Sequence, residues 1–404
     1  MSFNQTYNSN AKINLGLTIP FRYENGYHHI VSLFSCIDTC DVMQISIVQA
    51  QSNSFSLSWE NNLPPILNDE GTNRVFGNDY KHNLIYKAYE WTFLFLREHG
   101  VTTPPFKCHV HIIKKIPSPA GLGGGSSNAA VMIRAIIDFL QISSSPMDSS
   151  IRKKIEFEIE KQSLKLGSDI PFFLRDPYQK QTALISGTGE ILKKLPSIHL
   201  SGIMAIPQFG FSTKQMYQSM DKPISHITRD DIIDIASKSE SKNTATRPKK
   251  TLHDDNSLTC NLYSIQNIHD DFMNLHDWLV SDDDLETASK NDKSLEKLIR
   301  LEEERTYFLN NEFIGISKKL FPDKYIEIEK IRKQAIVKLS QNLLKKNIDG
   351  KLISSMSGSG SAIYAGITGK NGLTSEFQKK LDLSVSSLQV EHPEVYWFKF
   401  STLT

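Results

Sequence analysis

The chain has 404 residues, 39% of them hydrophobic and 23% charged, with a formal net charge of +1. At roughly 100–200 residues per domain, two or three domains are expected, and the near-zero charge gives no reason to expect a nucleic-acid or membrane surface. There is no run of about 18 apolar residues to cross a membrane and no basic region followed by the apolar stretch of a secretory signal. The cysteines, Cys36, Cys40, Cys108 and Cys260, form no CxxC pair and read as reduced thiols in a cytoplasmic protein. There is no internal repeat.

Along the chain, Ala11 to Ile19 alternates: Ala11, Ile13, Leu15 and Leu17 point one way, and Lys12, Asn14 and Gly16 the other. A period of two predicts a half-buried strand, with a lysine and an asparagine side by side on its polar face. Asn25-Gly26 is a turn signal, followed by Tyr27 and His28. An aromatic pair there could stack a base, although a partly buried tyrosine and a surface histidine is the plainer reading. His28 and His29 lack zinc-type spacing, so no metal site is expected from them. A second strand is predicted from about Val42 to Val48, a loop over 61–79, a helix over Leu84–Leu96 and a strand over His109–Ile116.

Between Lys222 and Arg305 the character changes. This stretch carries 18 acidic and 12 basic residues, a balance of −6, so the other 320 residues stand at +7. It contains Asp282-Asp283-Asp284 and Glu302-Glu303-Glu304, and apolar spacing survives only near Phe272, Leu275, Trp278 and Leu279, where a short helix fits. The stretch reads as an acidic insertion, disordered in part.

The most informative segment runs from Ile116 to Ala130 and contains Gly121-Leu-Gly-Gly-Gly-Ser-Ser127. It follows a predicted strand and opens a helix, apolar nearly all round, that reaches about Leu140. Backbone N–H groups at a helix N-terminus hold phosphates when glycines let the chain come close. The serines can cap the helix or offer hydroxyls to phosphate or Mg²⁺. The loop is neither a Walker A motif, which needs a lysine after the glycines, nor G-x-G-x-x-G, which needs glycine where Ser126 stands. A tight turn into a buried helix is the plainer alternative. Phosphoryl transfer also needs a carboxylate to orient or deprotonate the attacking hydroxyl. Asp169, in the turn Gly167-Ser-Asp-Ile-Pro171, is a candidate; taken alone it also fits a turn aspartate, and Lys12 an ordinary surface lysine.

Taken together these segments resemble the GHMP kinase superfamily. The resemblance rests on Ala11-Lys-Ile-Asn-Leu15, the Asn25–His28 turn, the full Gly121–Ala130 loop, Gly167–Pro171, Gly187-Thr-Gly-Glu-Ile-Leu192 and Ser357-Gly-Ser-Gly-Ser361. It covers about 11–220 and 306–365. Within the superfamily the chain is most similar to the branch that phosphorylates the 2-hydroxyl of 4-(cytidine 5'-diphospho)-2-C-methyl-D-erythritol on the way to isoprenoid precursors.

The resemblance implies an α+β fold with two domains. These would be a ribosomal protein S5-like N-terminal domain over 1–185 and a ferredoxin-like C-terminal domain over 186–404, the latter interrupted by the insertion at about 222–305. ATP as co-substrate, Mg²⁺ and a small cytidylyl substrate would meet in a deep cleft. By position, Asp169 is implied as the catalytic carboxylate and Lys12 as its partner. Pro117, Ala120, Gly121, Leu122, Gly123, Gly124, Gly125, Ser126 and Ser127 would hold ATP, with Asn83 and Lys114 near the adenine. Asn14 would contact the substrate, Tyr27 and His28 would clasp its cytosine, and Tyr217 would stack on the other face. Typical members lack the acidic insertion. A mevalonate- or homoserine-type kinase is disfavoured by the Gly26-Tyr27-His28 turn, and a catalytically inactive nucleotide-binding protein by the presence of both Lys12 and Asp169.

Overall fold

The computed structural model describes residues 2–67, 80–101, 103–142, 149–176, 179–220, 222, 224–225, 227–238, 262–280, 307–309, 311–343, 351–369 and 374–403. The chain runs β1 (Ser2–Tyr23), β2 (His28–Gln49), β3 (Ser54–Asn61), α1 (Leu84–Glu98), β4 (Phe106–Lys114), α2 (Gly124–Ile142), α3 (Ser149–Gln162) and α4 (Ile170–Arg175). It continues through β5 (Thr182–Gly187), β6 (Ile191–Leu195), β7 (Leu200–Pro207), α5 (Thr213–Gln218), β8 (Ile224–Ser225), α6 (Arg229–Lys238) and α7 (Leu262–Val280). The last elements are β9 (Tyr307–Phe308), α8 (Glu312–Leu320), α9 (Pro322–Leu343), β10 (Leu352–Met356), β11 (Ile363–Thr368), α10 (Ser375–Glu391) and β12 (Val395–Ser401). Two compact units result: Met1–Lys12, Thr39–Ser118 and Gly123–Gln179 form the first, and Ile13–Asp38, Pro119–Leu122 and Lys180–Thr404 the second.

In the first unit β3 runs parallel to β4, and β4 pairs antiparallel with the second half of β2, Val42 opposite Ile113 and Gln49 opposite Phe106. Along β4 the alternation is strict. Phe106, Cys108, Val110, Ile112 and Lys114 are buried, while His109 and His111 reach Ser56 and Ser58 on β3. Helix α2 packs against α1 and α4. It is buried nearly all round, as a helix without a polar face must be. Phe3, Phe106 and Phe139 join edge to face in this core; burying each such ring stabilises by roughly 1.5–3 kcal/mol.

In the second unit a sheet of order β12-β7-β11-β10-β9 is backed by α9 and α10. The β5–β6 hairpin pairs with the first half of β2, Ile30 opposite Gly187. Its turn is the Gly187–Glu190 motif, where the Glu190 carboxylate accepts from the Thr188 N–H and hydroxyl. Helix α6 packs on this hairpin and on α7.

The strands β1 and β2 exceed expectation. Ser9 through Ile19 is buried on both faces, so β1 is no half-buried strand: its polar side chains are covered as fully as its apolar ones. The first half of β2 is a near-continuous buried run, which alternation cannot detect. Helix α7 is longer than the short helix expected near Phe272, because Ile265 and Ile268 extend the same buried stripe. Residues 239–261 and 281–306 lie outside the described residues, and with them the expected disorder of the insertion. Among the described residues no helix is long and apolar enough to cross a membrane. Among the described residues Cys36, Cys40 and Cys108 form no disulfide.

Candidate active site

Lys12, on β1, lies 3.5 Å from the Asp169 carboxylate, and both belong to the first unit. Asp169 occupies the N-cap position of α4, but its side chain makes no capping bond. The carboxylate is therefore left for the lysine rather than spent on the helix. Pro171 sits in the first turn of α4, where its missing N–H costs nothing. The Lys12 side chain is 4% exposed and that of Asp169 24%, so the pair is sheltered but open on the carboxylate side. Burial pulls the Lys12 ammonium below the ordinary lysine value, and the Asp169 charge opposes that shift.

The glycine turn rests on this pair. Gly123 has φ +70°, and a Cβ there would sit 3.0 Å from Phe173 and 3.1 Å from Cγ of Lys12. Conformation and space both demand glycine. A Cβ on Gly124 would stand 2.8 Å from Ile116, while Gly125 is exposed. Helix α2 starts here, and its first-turn N–H groups have no partner within the helix. Ser126, half-buried, brings its hydroxyl to 3.6 Å from the Cβ position of Gly167, beside the Asp169 turn. Ser127 is different: it accepts from Ser9 at 2.7 Å and donates to Gln179 at 2.9 Å, fully buried. Asn83 caps α1 by accepting from the Ile85 N–H at 2.9 Å. Lys114 is buried and paired with Asp41 at 2.6 Å.

The second unit holds the other expected residues. Asn14 donates to Ser32 at 3.0 Å and accepts from the Ser357 hydroxyl at 3.4 Å, while Tyr364 donates to the Asn14 carbonyl at 2.8 Å. Ser357 also reaches the Gly121 carbonyl at 3.0 Å, and the Ala362 N–H donates to the Ala120 carbonyl at 3.1 Å. A Cβ on Gly121 would fall 2.0 Å from the Ser357 carbonyl oxygen. The Ser357–Ser361 turn thus grips Pro119–Leu122. Tyr27 is 66% exposed at the hairpin tip. His28 and Tyr217 lie against each other, ring centroids 5.1 Å apart, with Phe313 edge-on to Tyr217. Burial, helped by the Arg22 and Lys222 charges, holds His28 below the ordinary histidine value.

Sequence reasoning missed Asp41, Asn311, Phe313 and Gln179. Asn311 caps α8 and donates to the carbonyls of Met356 and Gly358. Gln179 receives the Ser127 hydroxyl from a backbone with φ 49°. Only Asp41 left a usable signal, an acidic residue opening the alternation of Val42–Val48.

Residues 83–176 match the family described as GHMP kinases N terminal domain. A relative from Fusobacterium nucleatum is 32% identical over 56% of this chain and 67% of its own length. The chain belongs to the GHMP kinase family. That relative, and one from Leptospira interrogans that is 33% identical over 54% of this chain, are named 4-diphosphocytidyl-2-C-methyl-D-erythritol kinase. The match spans 65% of the Leptospira interrogans protein and 64% of its Leptospira biflexa counterpart, just under two thirds of each. A crystal structure of 4-(cytidine 5'-diphospho)-2C-methyl-D-erythritol kinase superposes with TM-score 0.51 at 20% identity, covering 99% of this chain and 100% of that one. A homoserine kinase from Cytophaga hutchinsonii superposes with TM-score 0.50 at 13% identity, covering 100% and 95%. The shared fold is the mixed α/β fold of GHMP kinases.

Proposed function

We propose that the chain is an ATP-dependent small-molecule kinase that phosphorylates the 2-hydroxyl of 4-(cytidine 5'-diphospho)-2-C-methyl-D-erythritol. The observation that carries this reading is the sheltered Lys12–Asp169 pair lying against Gly123, where the glycine turn opens α2. Phosphoryl transfer is mainly positioning and charge stabilisation. The amides that begin α2 supply donors for phosphate oxygens. Asp169 takes the proton of the attacking hydroxyl. The oxygen of that hydroxyl then bonds to the γ-phosphorus as the bond from that phosphorus to the β–γ bridging oxygen breaks, and ADP leaves. Lys12 orients the Asp169 carboxylate and faces the negative charge that develops in the transfer.

Mg²⁺ would neutralise charge on the phosphates. It is held in such sites by one or two protein oxygens besides phosphate and water. The Asp169 carboxylate and the Ser126 hydroxyl at the adjacent Gly167 fit that small donor set. Among the described residues no cluster of three His, Cys, Asp or Glu forms a dedicated cage. His28, Tyr217 and Tyr27 would recognise the cytosine, with Asn14 toward the methylerythritol. Seating a base between the His28 and Tyr217 rings requires them to part from their 5.1 Å contact. The names of the Fusobacterium and Leptospira relatives support this substrate.

In this reading 1–185 is the S5-like domain and 186–404 the ferredoxin-like one, interrupted by the insertion at about 222–305. Cysteines without a disulfide among the described residues suit a reducing, cytoplasmic setting. A coupled assay of ADP release over an acceptor panel tests the proposal. Turnover is expected with the cytidylyl substrate. Turnover of mevalonate or homoserine, with none of the cytidylyl compound, would refute it.

A further inference from the structure

Asp41 takes no part in the chemistry above, yet its carboxylate is wholly buried and meets four donors. Oδ1 accepts from the backbone N–H groups of Lys115 at 2.7 Å and Ile116 at 2.8 Å. Oδ2 accepts from Lys114 Nζ at 2.6 Å and from Asn128 Nδ2 at 2.9 Å. All five residues belong to the first unit. Lys115 and Ile116 are the last residues before the glycine turn of Pro117–Gly125, and Asn128 is the fifth residue of α2 beyond it. One carboxylate therefore ties the chain on both sides of the turn.

Burying a charge is costly unless it is paired and hydrogen-bonded, and a buried ion pair adds little stability over apolar packing. Holding Lys114 would need none of the other three bonds. What the arrangement adds is position: the strand exit and the helix entry are fixed relative to each other through one group. Electrostatics bear this out. A bare carboxylate beneath an anion-binding turn would repel phosphates, and Lys114 cancels its charge. Lys114, expected near the adenine, has its ammonium committed here.

We infer that Asp41, charge-balanced by Lys114 and bonded to Asn128, is the positioning residue that clamps both ends of the glycine turn in the geometry that receives nucleotide phosphates. The inference rests on the nucleotide-binding part of the proposed function. Its test uses the full chain, with Asn128→Ala, which cuts only the helix tie, and Asp41→Asn, which turns an acceptor into a donor facing Lys114 and Asn128. Two readouts are taken on folded protein: hydrogen exchange of the amides of 121–127 without ligand, and titration with a fluorescent ADP analogue.

In Asn128→Ala, exchange at these amides is expected to quicken at least ~10-fold and the analogue's Kd to rise about 10-fold, the scale of one lost hydrogen bond to a charged group. Asp41→Asn should show larger changes; if it does not fold, Asn128→Ala alone decides. Unchanged exchange in folded Asn128→Ala overturns the clamp. Faster exchange with unchanged affinity overturns its role in positioning nucleotide. Wild-type protein that binds no analogue refutes the nucleotide reading instead, while its exchange data still report on the clamp.

Discussion

Lys12 is 3% exposed and Tyr27 66% exposed, although only fifteen residues of one hairpin separate them. The groups assigned to phosphoryl transfer are braced. Lys12 is covered by Gly123 and paired with Asp169, and the turn above it is tied at both ends by Asp41. The groups assigned to the base sit nearer the surface: Tyr27 projects outward, and His28 and Tyr217 are only half-buried, their rings against each other and Phe313 edge-on to Tyr217. Chemistry that depends on sub-ångström placement rewards the first arrangement. Stacking on a flat base tolerates the second. Substitutions in the braced region should therefore strike kcat, and those nearer the surface KM.

The largest effect is expected from Lys12→Met. It should lower kcat by about 10²–10⁴-fold, the usual contribution of a positioned acid–base partner, with binding of a fluorescent ADP analogue little changed. Steady-state kinetics beside a titration would show the split, and an unaltered kcat would break the comparison. Gly123→Ala comes next. Its Cβ meets Phe173 and Lys12 and strains a left-handed backbone, and displacing the lysine by a fraction of an ångström should cost about 10–100-fold in kcat. Tyr217→Ala should raise KM for the cytidylyl substrate about 10-fold, the scale of one stacking contact, with kcat nearly constant.

Two pH effects are smaller. Burial holds Lys12 below the ordinary lysine value, and the lysine acts as a cation. The alkaline fall of kcat should therefore begin at lower pH than an ordinary lysine would give. A kcat–pH profile checks this.

The second effect concerns stability. Burial, aided by Lys193, holds His269 at about 4; His29, stacked on Phe21 and bonded to the Tyr23 hydroxyl, is likewise pushed down by burial and by His269. Unfolded histidines gain protons near pH 6.5, the folded ones only at lower pH. Folding stability should thus fall as pH drops from about 6.5 toward 4, by about 1.4 kcal/mol per pH unit for each such group. Denaturant titrations at several pH values should show this slope, and His269→Leu should flatten it.

Much of this was legible in the residues. β-Branched residues located β4, the apolar run located α2, and the run of glycines and serines marked the turn that opens it. The pairing of Lys12 with Asp169 was reached through the family resemblance, because 157 positions separate them and no local pattern links them. The first half of β2 was hidden because a strand buried on both faces loses its period, and the start of β1 because Ser2–Asn8 is a mostly polar, exposed stretch. The Asp41 clamp was hidden for another reason. Its four donors come from a strand end, two loop amides and a helix, and only the folded chain brings them together. The sequence also could not show that Ser127 spends its hydroxyl on Ser9 and Gln179 while Ser126 keeps its own toward Gly167, because the two serines are adjacent and chemically alike.

In the proposed reaction Asp169, held by Lys12, activates the acceptor hydroxyl. The direct measurement is phosphorus NMR of ATP with the cytidylyl substrate, for wild-type protein and Asp169→Asn at equal concentration. A new phosphomonoester on the 2-hydroxyl is expected with the wild type, and a rate at least ~100-fold lower with the variant while nucleotide binding persists. The same product formed at an undiminished rate by Asp169→Asn would contradict it.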